Sequence, residues 1–365
     1  LAGSVPRVSP ITGRDFRSEI PQSPRSAQAL NRALESSWLD PAKIHHDSAK
    51  LRNLIFEAQE SIAENLKVTR ENLEFVGELG FGFWMAIAGL LQNNNRPFIY
   101  CDCDRQIVHA FAREEQQRVV KKLEINNEGL ADYSTPDIPT DSVLVWQATN
   151  RETGVKQSPS SRDDFQVFAD MTASSNPEQL PSNWSVALWN PRQFAGPEGI
   201  AILAINEKSS WQSPLPKIDN RRTFGSYSKA ALISAAIALD DWLSEEKRVT
   251  KHLTELNLRL RKELNDRIQS FKFAGNHENS DPRYLALAIE KIISEELLRR
   301  LDGNDFKIDA GSACGGGALS PSHVLNAMGL GVDGHIRITL KKEHSQRDVI
   351  DLATRISDAV SELRA

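Results

Sequence analysis

The sequence predicts an α/β protein, in which a large domain with a mostly parallel sheet precedes a smaller α+β domain. Short runs rich in β-branched, aromatic or Leu residues alternate with helical patterns through the first part of the chain. Two long helical patterns, further short strands and a closing amphipathic helix then follow. With 365 residues, 40% of them hydrophobic, the chain is long enough for two hydrophobic cores.

The large domain is predicted to contain three early helices and a series of short strands. The N-terminal arm, 1–26, is rich in Pro, Ser and Arg and is expected to be extended. Helical apolar spacing follows in 27–34, 48–66 and 82–91. The strand candidates are 72–76, 97–101, 143–146, 165–170, 185–188 and 199–205.

The domain boundary is predicted in the polar segment 209–220, which carries two prolines. We therefore assign 27–217 to the large domain and 218–365, together with the arm, to the small one. The expected elements of the small domain are helices 230–243, 245–270 and 346–364 and strands 284–289, 306–309 and 335–340.

Composition excludes several function classes. The balance of 44 Lys and Arg against 49 Asp and Glu gives a net charge of -5, with no overall attraction to nucleic acid or anionic membranes. No apolar run is long enough to span a bilayer, and 1–11 lacks the features of a secretory signal, so a cytoplasmic location is expected. Three cysteines are too few for a disulfide framework, which indicates free thiols in a reducing compartment.

Cys101 and Cys103 lie two residues apart and would share one face of a strand. They could contribute to a metal site, but no second Cys or His pair with ligand spacing accompanies them. We therefore interpret them as structural cysteines at a strand end and predict no metal site.

Several segments resemble those of cysteine desulfurases of the NifS/IscS type. The Gly-rich segment 310–329, which contains Cys314, is similar to the active-site cysteine loop, and His335-Ile-Arg-Ile-Thr-Leu340 to the strand that follows it. Upstream, the similar segments are Glu152-Thr-Gly154, Phe168-Ala-Asp170 and Arg192-Gln-Phe-Ala-Gly-Pro-Glu-Gly-Ile200. The order and spacing agree from about Asp40 to the C-terminus.

The resemblance implies a class V aminotransferase of pyridoxal phosphate fold-type I, which forms a homodimer with its site at the dimer interface. It implies that Asp170 faces the pyridine nitrogen of the cofactor and that Ser226 and Ser228 contribute hydroxyls near it. Cys314 would carry a persulfide, and Arg337 would hold the substrate carboxylate.

The chain departs from the family at the cofactor positions. Gln193 stands where the family has the lysine that binds the cofactor. The other replacements are Arg192 for histidine, Arg151 for asparagine, Ala173 for glutamine, Arg105 near the histidine that stacks on the ring, and Glu78-Leu-Gly-Phe81 for the phosphate-binding Gly-Ala-Thr-Glu loop. Because an amide cannot form an aldimine or exchange with a substrate amine, we predict that lysine-based catalysis is lost.

Three functions stay open. The first is a desulfurase-like protein that acts as a sulfur-relay, binding or regulatory partner in sulfur metabolism. A sulfur-acceptor protein or an intact desulfurase relative would be its partner. The second is an active pyridoxal-dependent desulfurase, with an amine such as that of Lys229 or Lys307 in the lysine's role.

The third function is an anion-binding module. Arg105, Arg151, Arg192 and Arg337 would surround one cleft and bind a small, multiply charged anion. The alternative is that some of these arginines point outward or pair with Glu152, Asp170 or Glu78.

Overall fold

The computed structural model describes residues 13–92, 95–115, 117–216, 222–223, 227–310, 322–331 and 334–365. Cys314, Ser226 and the boundary predicted after Lys217 lie outside these ranges. The chain divides into two compact units. One combines Leu1–Glu19, Glu152–Gly154 and Arg248–Ala365, and the other combines Ile20–Arg151 and Val155–Lys247.

A seven-stranded sheet forms the centre of the second unit. Its strands are β1 (Leu73–Val76), β2 (Phe98–Cys101), β3 (Val120–Leu123), β4 (Val143–Gln147), β5 (Gln166–Asp170), β6 (Trp184–Trp189) and β7 (Ala201–Ile205). They pair in the order β1-β7-β6-β5-β4-β2-β3, and β7 is antiparallel to both of its neighbours. The predicted mostly parallel α/β sheet is confirmed. Residues in β4, β5, β6 and β7 are buried almost throughout, as expected for strands covered on both faces.

Some of the helices of this unit begin with a capping side chain. The helices are α1 (Pro24–Leu34), α2 (His46–Leu66), α3 (Leu79–Leu91), α4 (Gln106–Glu114) and the first part of α5 (Lys229–Arg267). Ser23 caps α1 just before a proline, and Glu78 caps α3. Helix α3 is apolar on most faces because it packs on β6 and β7.

The first unit contains a four-stranded antiparallel sheet in the order β10-β11-β9-β8. Its strands are β8 (Phe271–Phe273), β9 (Tyr284–Ile289), β10 (Asp309–Ala310) and β11 (His335–Thr339). Its helices are the rest of α5, α6 (Ser294–Asp302), α7 (His323–Ala327) and α8 (Gln346–Arg364), and α8 begins with a Ser345/Asp348 capping box.

The structure corrects two of the predicted elements. The helices expected at 230–243 and 245–270 form one 39-residue helix, α5, because Ser244, the single residue between them, is neither Pro nor Gly and does not interrupt the helix. The strand expected at 306–309 is reduced to β10. The backbone of Lys307 instead bonds to the N-terminal segment, donating to the Arg14 carbonyl (2.9 Å) and accepting from the Phe16 amide (2.8 Å).

Gly89 lies in α3 beneath the indole ring of Trp211. The indole nitrogen donates to the Met85 carbonyl (2.8 Å), and a Cβ at position 89 would lie 1.9 Å from that nitrogen. The amide of Gln212 also donates to the Gly89 carbonyl (3.0 Å), so the segment cannot shift without breaking two hydrogen bonds. Glycine is therefore required here for close approach rather than for backbone conformation.

We expect Gly89→Ala to lower the free energy of unfolding by about 1–3 kcal/mol, because the added methyl overpacks the α3–Trp211 contact. Urea unfolding followed by circular dichroism measures the change. Gly303→Ala is the matched control, since Gly303 has a helical backbone conformation and its nearest new contact would be at 3.4 Å. Equal stability of the Gly89→Ala variant and the unsubstituted protein would contradict this account.

A buried polar cluster anchors the N-terminal segment to the end of β11 in the first unit. The neutral His344 ring accepts from the Lys341 amide at Nδ1 (3.0 Å), and its Nε2 donates to the Asp15 carbonyl (3.1 Å). The ring stacks on Phe16 at 4.1 Å between centroids. Burial, with the charge of Lys341, lowers the pKa of His344 to about 4. Protonation of Nδ1 would also replace an acceptor by a donor facing the Lys341 amide.

The protein should lose stability as the pH falls from about 6.5 to about 4, because the unfolded state then binds a proton that the folded His344 does not. At a pH below that window, the loss in the free energy of unfolding that is due to His344 reaches roughly 3 kcal/mol. Chemical unfolding at a series of pH values measures it, with His344→Gln as the comparison. The variant should show a shallower dependence in this window, and parallel curves would contradict the assignment.

Candidate functional site

The candidate residues of the second unit follow the carboxyl ends of parallel strands. Strands β2, β4, β5 and β6 are parallel to one another, and β1 has the same direction because both β1 and β6 are antiparallel to β7. These ends share one edge of the sheet, which is where open α/β sheets bind ligands. The residues placed there are Glu78 after β1, Arg105 after β2, Arg151 after β4, Asp170 at the end of β5, and Arg192 and Gln193 after β6.

Asp170 is 1% exposed, and its carboxylate is satisfied from within the chain. Its Oδ1 accepts hydrogen bonds from the Thr172 amide (2.8 Å) and from the Thr172 hydroxyl. Its Oδ2 lies 3.5 Å from Nε of Arg105, whose guanidinium group is 5.7 Å from the Phe83 ring centroid. A buried carboxylate needs such partners, because an uncompensated buried charge costs several kcal/mol.

Arg192 and Gln193 lie in one short helical turn, Pro191–Phe194. The Asn190 side chain accepts from the Arg192 amide (3.2 Å), and the Asn190 carbonyl accepts from the Gln193 amide (3.0 Å). The Arg192 guanidinium group donates to Glu198 (3.1 Å) at a partly exposed position. The positive charge of Arg192 is therefore paired with the Glu198 carboxylate of the same loop.

The arginines proposed to surround one cleft have different local environments. Arg105 pairs with Asp170 and Arg192 with Glu198, so both already have carboxylate partners. Arg151 is exposed. Arg337 belongs to β11 of the other unit, where it is nine-tenths buried and donates from Nε to the Ala310 carbonyl (2.9 Å). Of the pairings named in the alternative, with Glu152, Asp170 or Glu78, the structure contains the one with Asp170, which Arg105 makes.

The remaining predicted site residues have structural contacts of their own. Ser228 accepts from the Ala231 amide (3.2 Å) at the beginning of α5. Glu152 accepts from the Ser322 hydroxyl (2.6 Å), and both residues belong to the first unit. Ala173 is buried. Cys314 and Ser226, outside the described residues, stay predictions from the sequence.

Glu78 occupies the N-terminal end of α3 with its own carboxylate. Its Oε1 accepts from the Gly80 amide and its Oε2 from the Phe81 amide, both at 2.8 Å. Free amides at a helix N-terminus, together with the helix dipole, bind phosphate and other anions. Here a side chain supplies the negative charge, so an external anion would have to displace it.

The Nζ of Lys229 is held by backbone carbonyls. It donates to Leu39 (2.9 Å) and Ser37 (3.4 Å), so this candidate amine takes part in fixing the segment after α1. Among the described residues, no group of three or more His, Cys, Asp or Glu side chains is placed to hold a metal ion. No helix in the described ranges combines the length and apolar character needed to cross a bilayer.

Comparison with known proteins identifies the fold. No family model matches the chain. Cysteine desulfurase IscS of Dictyoglomus turgidum is 24% identical over 371 residues, which cover 94% of this chain and 93% of that protein. Cysteine desulfurase IscS of Rickettsia peacockii is 22% identical over 376 residues, with 96% and 91% coverage.

Solved structures agree with these relatives. A NifS-like protein superimposes with a TM-score of 0.82 at 18% identity, covering 96% of this chain and 99% of that one. The apo structure of a cysteine desulfurase from Thermococcus onnurineus gives a TM-score of 0.76 at 14% identity, with 98% and 100% coverage.

The order of the large sheet and these superpositions define a class V aminotransferase fold of fold-type I. Within that class the chain has the fold of the cysteine desulfurases of the NifS/IscS type, and the resemblance predicted from the sequence is confirmed at this level.

Two contacts at this edge were not anticipated from the sequence. The capping role of Glu78 could have been predicted, because an acidic residue directly before a buried apolar helix is a common start signal. The bond from the Thr172 amide to Asp170 could also have been expected, since an aspartate side chain commonly accepts from the backbone amide two residues on.

We expect Glu78→Ala to lower the free energy of unfolding by about 1 kcal/mol, because two amides of α3 lose their acceptor. Glu78→Gln should have a smaller effect, since one amide oxygen still accepts. Urea unfolding measures both, with Glu207→Ala as a control at an exposed position after β7. If Glu78→Ala and Glu207→Ala changed stability equally, the capping role would be refuted.

Proposed function

We propose that this protein is a desulfurase-like partner protein that does not perform lysine-based pyridoxal phosphate chemistry. It would bind a partner in sulfur metabolism or relay sulfur to one. The observation that carries the proposal is the Glu78 carboxylate on the first amides of α3, at the loop that matches the family's phosphate-binding loop.

The described residues do not fit pyridoxal phosphate held in the family's manner. A phosphate at the start of α3 would face the Glu78 carboxylate, which is repulsive at short range. Gln193 stands at the position matched to the lysine, and an amide cannot supply the missing amine. Lys229, one of the two alternative amines considered from the sequence, donates from its ammonium group to two backbone carbonyls.

The Arg105–Asp170 pair supports the same proposal. The family's aspartate faces the pyridine nitrogen, whereas the Asp170 carboxylate here is neutralised by a guanidinium group and by Thr172. Arg105 would have to move before a ring nitrogen could replace it. These contacts stabilise the edge of the sheet without a cofactor.

The pairs made by Arg105 and Arg192 also weaken the anion-binding alternative, because each guanidinium group already has a carboxylate partner. A relay role would instead depend on Cys314. In such a relay, a donor persulfide transfers its outer sulfur to the Cys314 thiol, which becomes a persulfide while the donor returns to a thiol. Such a protein would act as a homodimer or beside an intact desulfurase.

The test is to add pyridoxal phosphate and cysteine to the purified protein and to record cofactor absorbance and sulfide release. We expect neither an aldimine band nor sulfide, because Gln193 stands at the position matched to the lysine and the Glu78 carboxylate occupies the first amides of α3. Borohydride reduction followed by mass spectrometry checks for a covalently trapped cofactor.

Two variants make the result specific. The Gln193→Lys variant should still bind little pyridoxal phosphate. The variant that combines Gln193→Lys with Glu78→Gly should bind measurably more of it, because the second change exposes the first amides of α3. Cofactor binding and sulfide release by the unsubstituted protein would refute the proposal. Persulfide labelling with a small persulfide donor, with Cys314→Ser as control, then tests the relay role separately.

A further inference from the structure

Two buried thiols that have no part in the proposed desulfurase-like role lie together at the end of β2. Cys101 is 0% and Cys103 2% exposed, and their Sγ atoms are 3.3 Å apart. Tyr133 is also 2% exposed, and its hydroxyl lies 3.8 Å from the Cys103 Sγ. Both thiols are reduced in this arrangement.

A β-turn brings the two side chains to one side. The Asp104 amide donates to the Cys101 carbonyl (3.0 Å), and the Cys101 amide donates back to the Asp104 carboxylate (2.7 Å). The cysteines are therefore the first and third residues of a turn that is closed twice. A disulfide has an S–S distance of about 2.05 Å, so the sulfurs need to approach by only about 1.3 Å.

The two thiols differ in chemical character. The hydrogen bond from Cys103 lowers the pKa of Cys101 against the opposing effect of burial, and Tyr133 contributes in the same direction. The same hydrogen bond and burial raise the pKa of Cys103. Cys101 is thus the better nucleophile, and Cys103 is held beside it as a thiol.

We propose that Cys101 and Cys103 are a redox site that a small hydroperoxide converts into an intramolecular disulfide. The Cys101 thiolate attacks one peroxide oxygen, breaking the O–O bond and forming a sulfenic acid. The other oxygen leaves as hydroxide and takes up the proton that the Cys101 thiol had lost, which gives water. The Cys103 thiol then attacks the Cys101 sulfur and releases a second water. In total, two thiols and one hydrogen peroxide give one disulfide and two waters.

The burial of both thiols determines the oxidant. A protein or a bulky disulfide cannot reach sulfur atoms with at most 2% residue exposure, whereas a molecule as small as hydrogen peroxide can enter during local fluctuations. Arg105 directly follows the turn, and Asn150 donates to the Cys103 carbonyl (3.0 Å), so the bond would form beside the Arg105–Asp170 pair. The reaction itself requires neither a cofactor nor Cys314.

The experiment uses the full-length chain with Cys314→Ser, so that only these two thiols remain. The native protein is treated with hydrogen peroxide, unfolded, alkylated with iodoacetamide and digested, and the peptide ending at Arg105 is weighed. We expect the peptide to lose two hydrogens and accept no label after peroxide. When dithiothreitol is added to the unfolded protein before alkylation, the peptide should accept two iodoacetamide labels.

Matched single variants identify the steps. Cys103→Ser should stop at a sulfenic acid on Cys101, which dimedone traps, and Cys101→Ser should react far more slowly. Tyr133→Phe should slow disulfide formation by up to about tenfold, the change that one pKa unit makes in thiolate population.

Three results would overturn the proposal. They are two alkylatable thiols after peroxide, oxidation beyond the sulfenic acid without a disulfide, and oxidation that occurs only in urea. A disulfide that formed at the same rate with and without the Tyr133 hydroxyl would refute the role of that hydroxyl in the reaction. The outcome is independent of the pyridoxal phosphate test, because that test measures cofactor binding and sulfide release, which depend on Gln193 and Glu78 and not on Cys101 or Cys103.

Discussion

Burial of the Asp170 carboxylate is the constraint that organises the carboxyl edge of the large sheet. A carboxylate at this depth requires donors and a positive charge, and Thr172 and Arg105 supply them. Arg105 can reach Asp170 because the preceding turn is closed by two hydrogen bonds between Cys101 and Asp104. The same turn brings the two thiols together, so the ion pair and the thiol pair depend on one piece of backbone.

The sequence predicted the fold well because strong hydrophobic patterns mark its elements. Strand β9 and helix α8 begin and end where the apolar spacing placed them. Strand β3 was missed because its four residues include two lysines, so it lacks the apolar run of a buried strand. Strand β10 was misplaced because the backbone of Lys307 pairs with the N-terminal segment, a contact between residues far apart in sequence.

The site was predicted less completely, for a related reason. The motifs identified which residues occupy the carboxyl edge, but not whether they face a ligand or one another. Pairing of Arg105 with Asp170, and of Glu78 with the amides of α3, depends on side-chain directions that spacing alone does not determine. The Asp170 carboxylate and the first amides of α3 are thus satisfied by neighbouring side chains, a result that motif spacing could not predict.

Under the proposed function, the position of Glu78 would make a change of role difficult to reverse by single substitutions. A lysine at position 193 would leave the Glu78 carboxylate on the first amides of α3, and removal of that carboxylate alone would weaken the start of α3 without supplying an amine. Reversal would then need two linked substitutions, neither of which restores cofactor binding by itself.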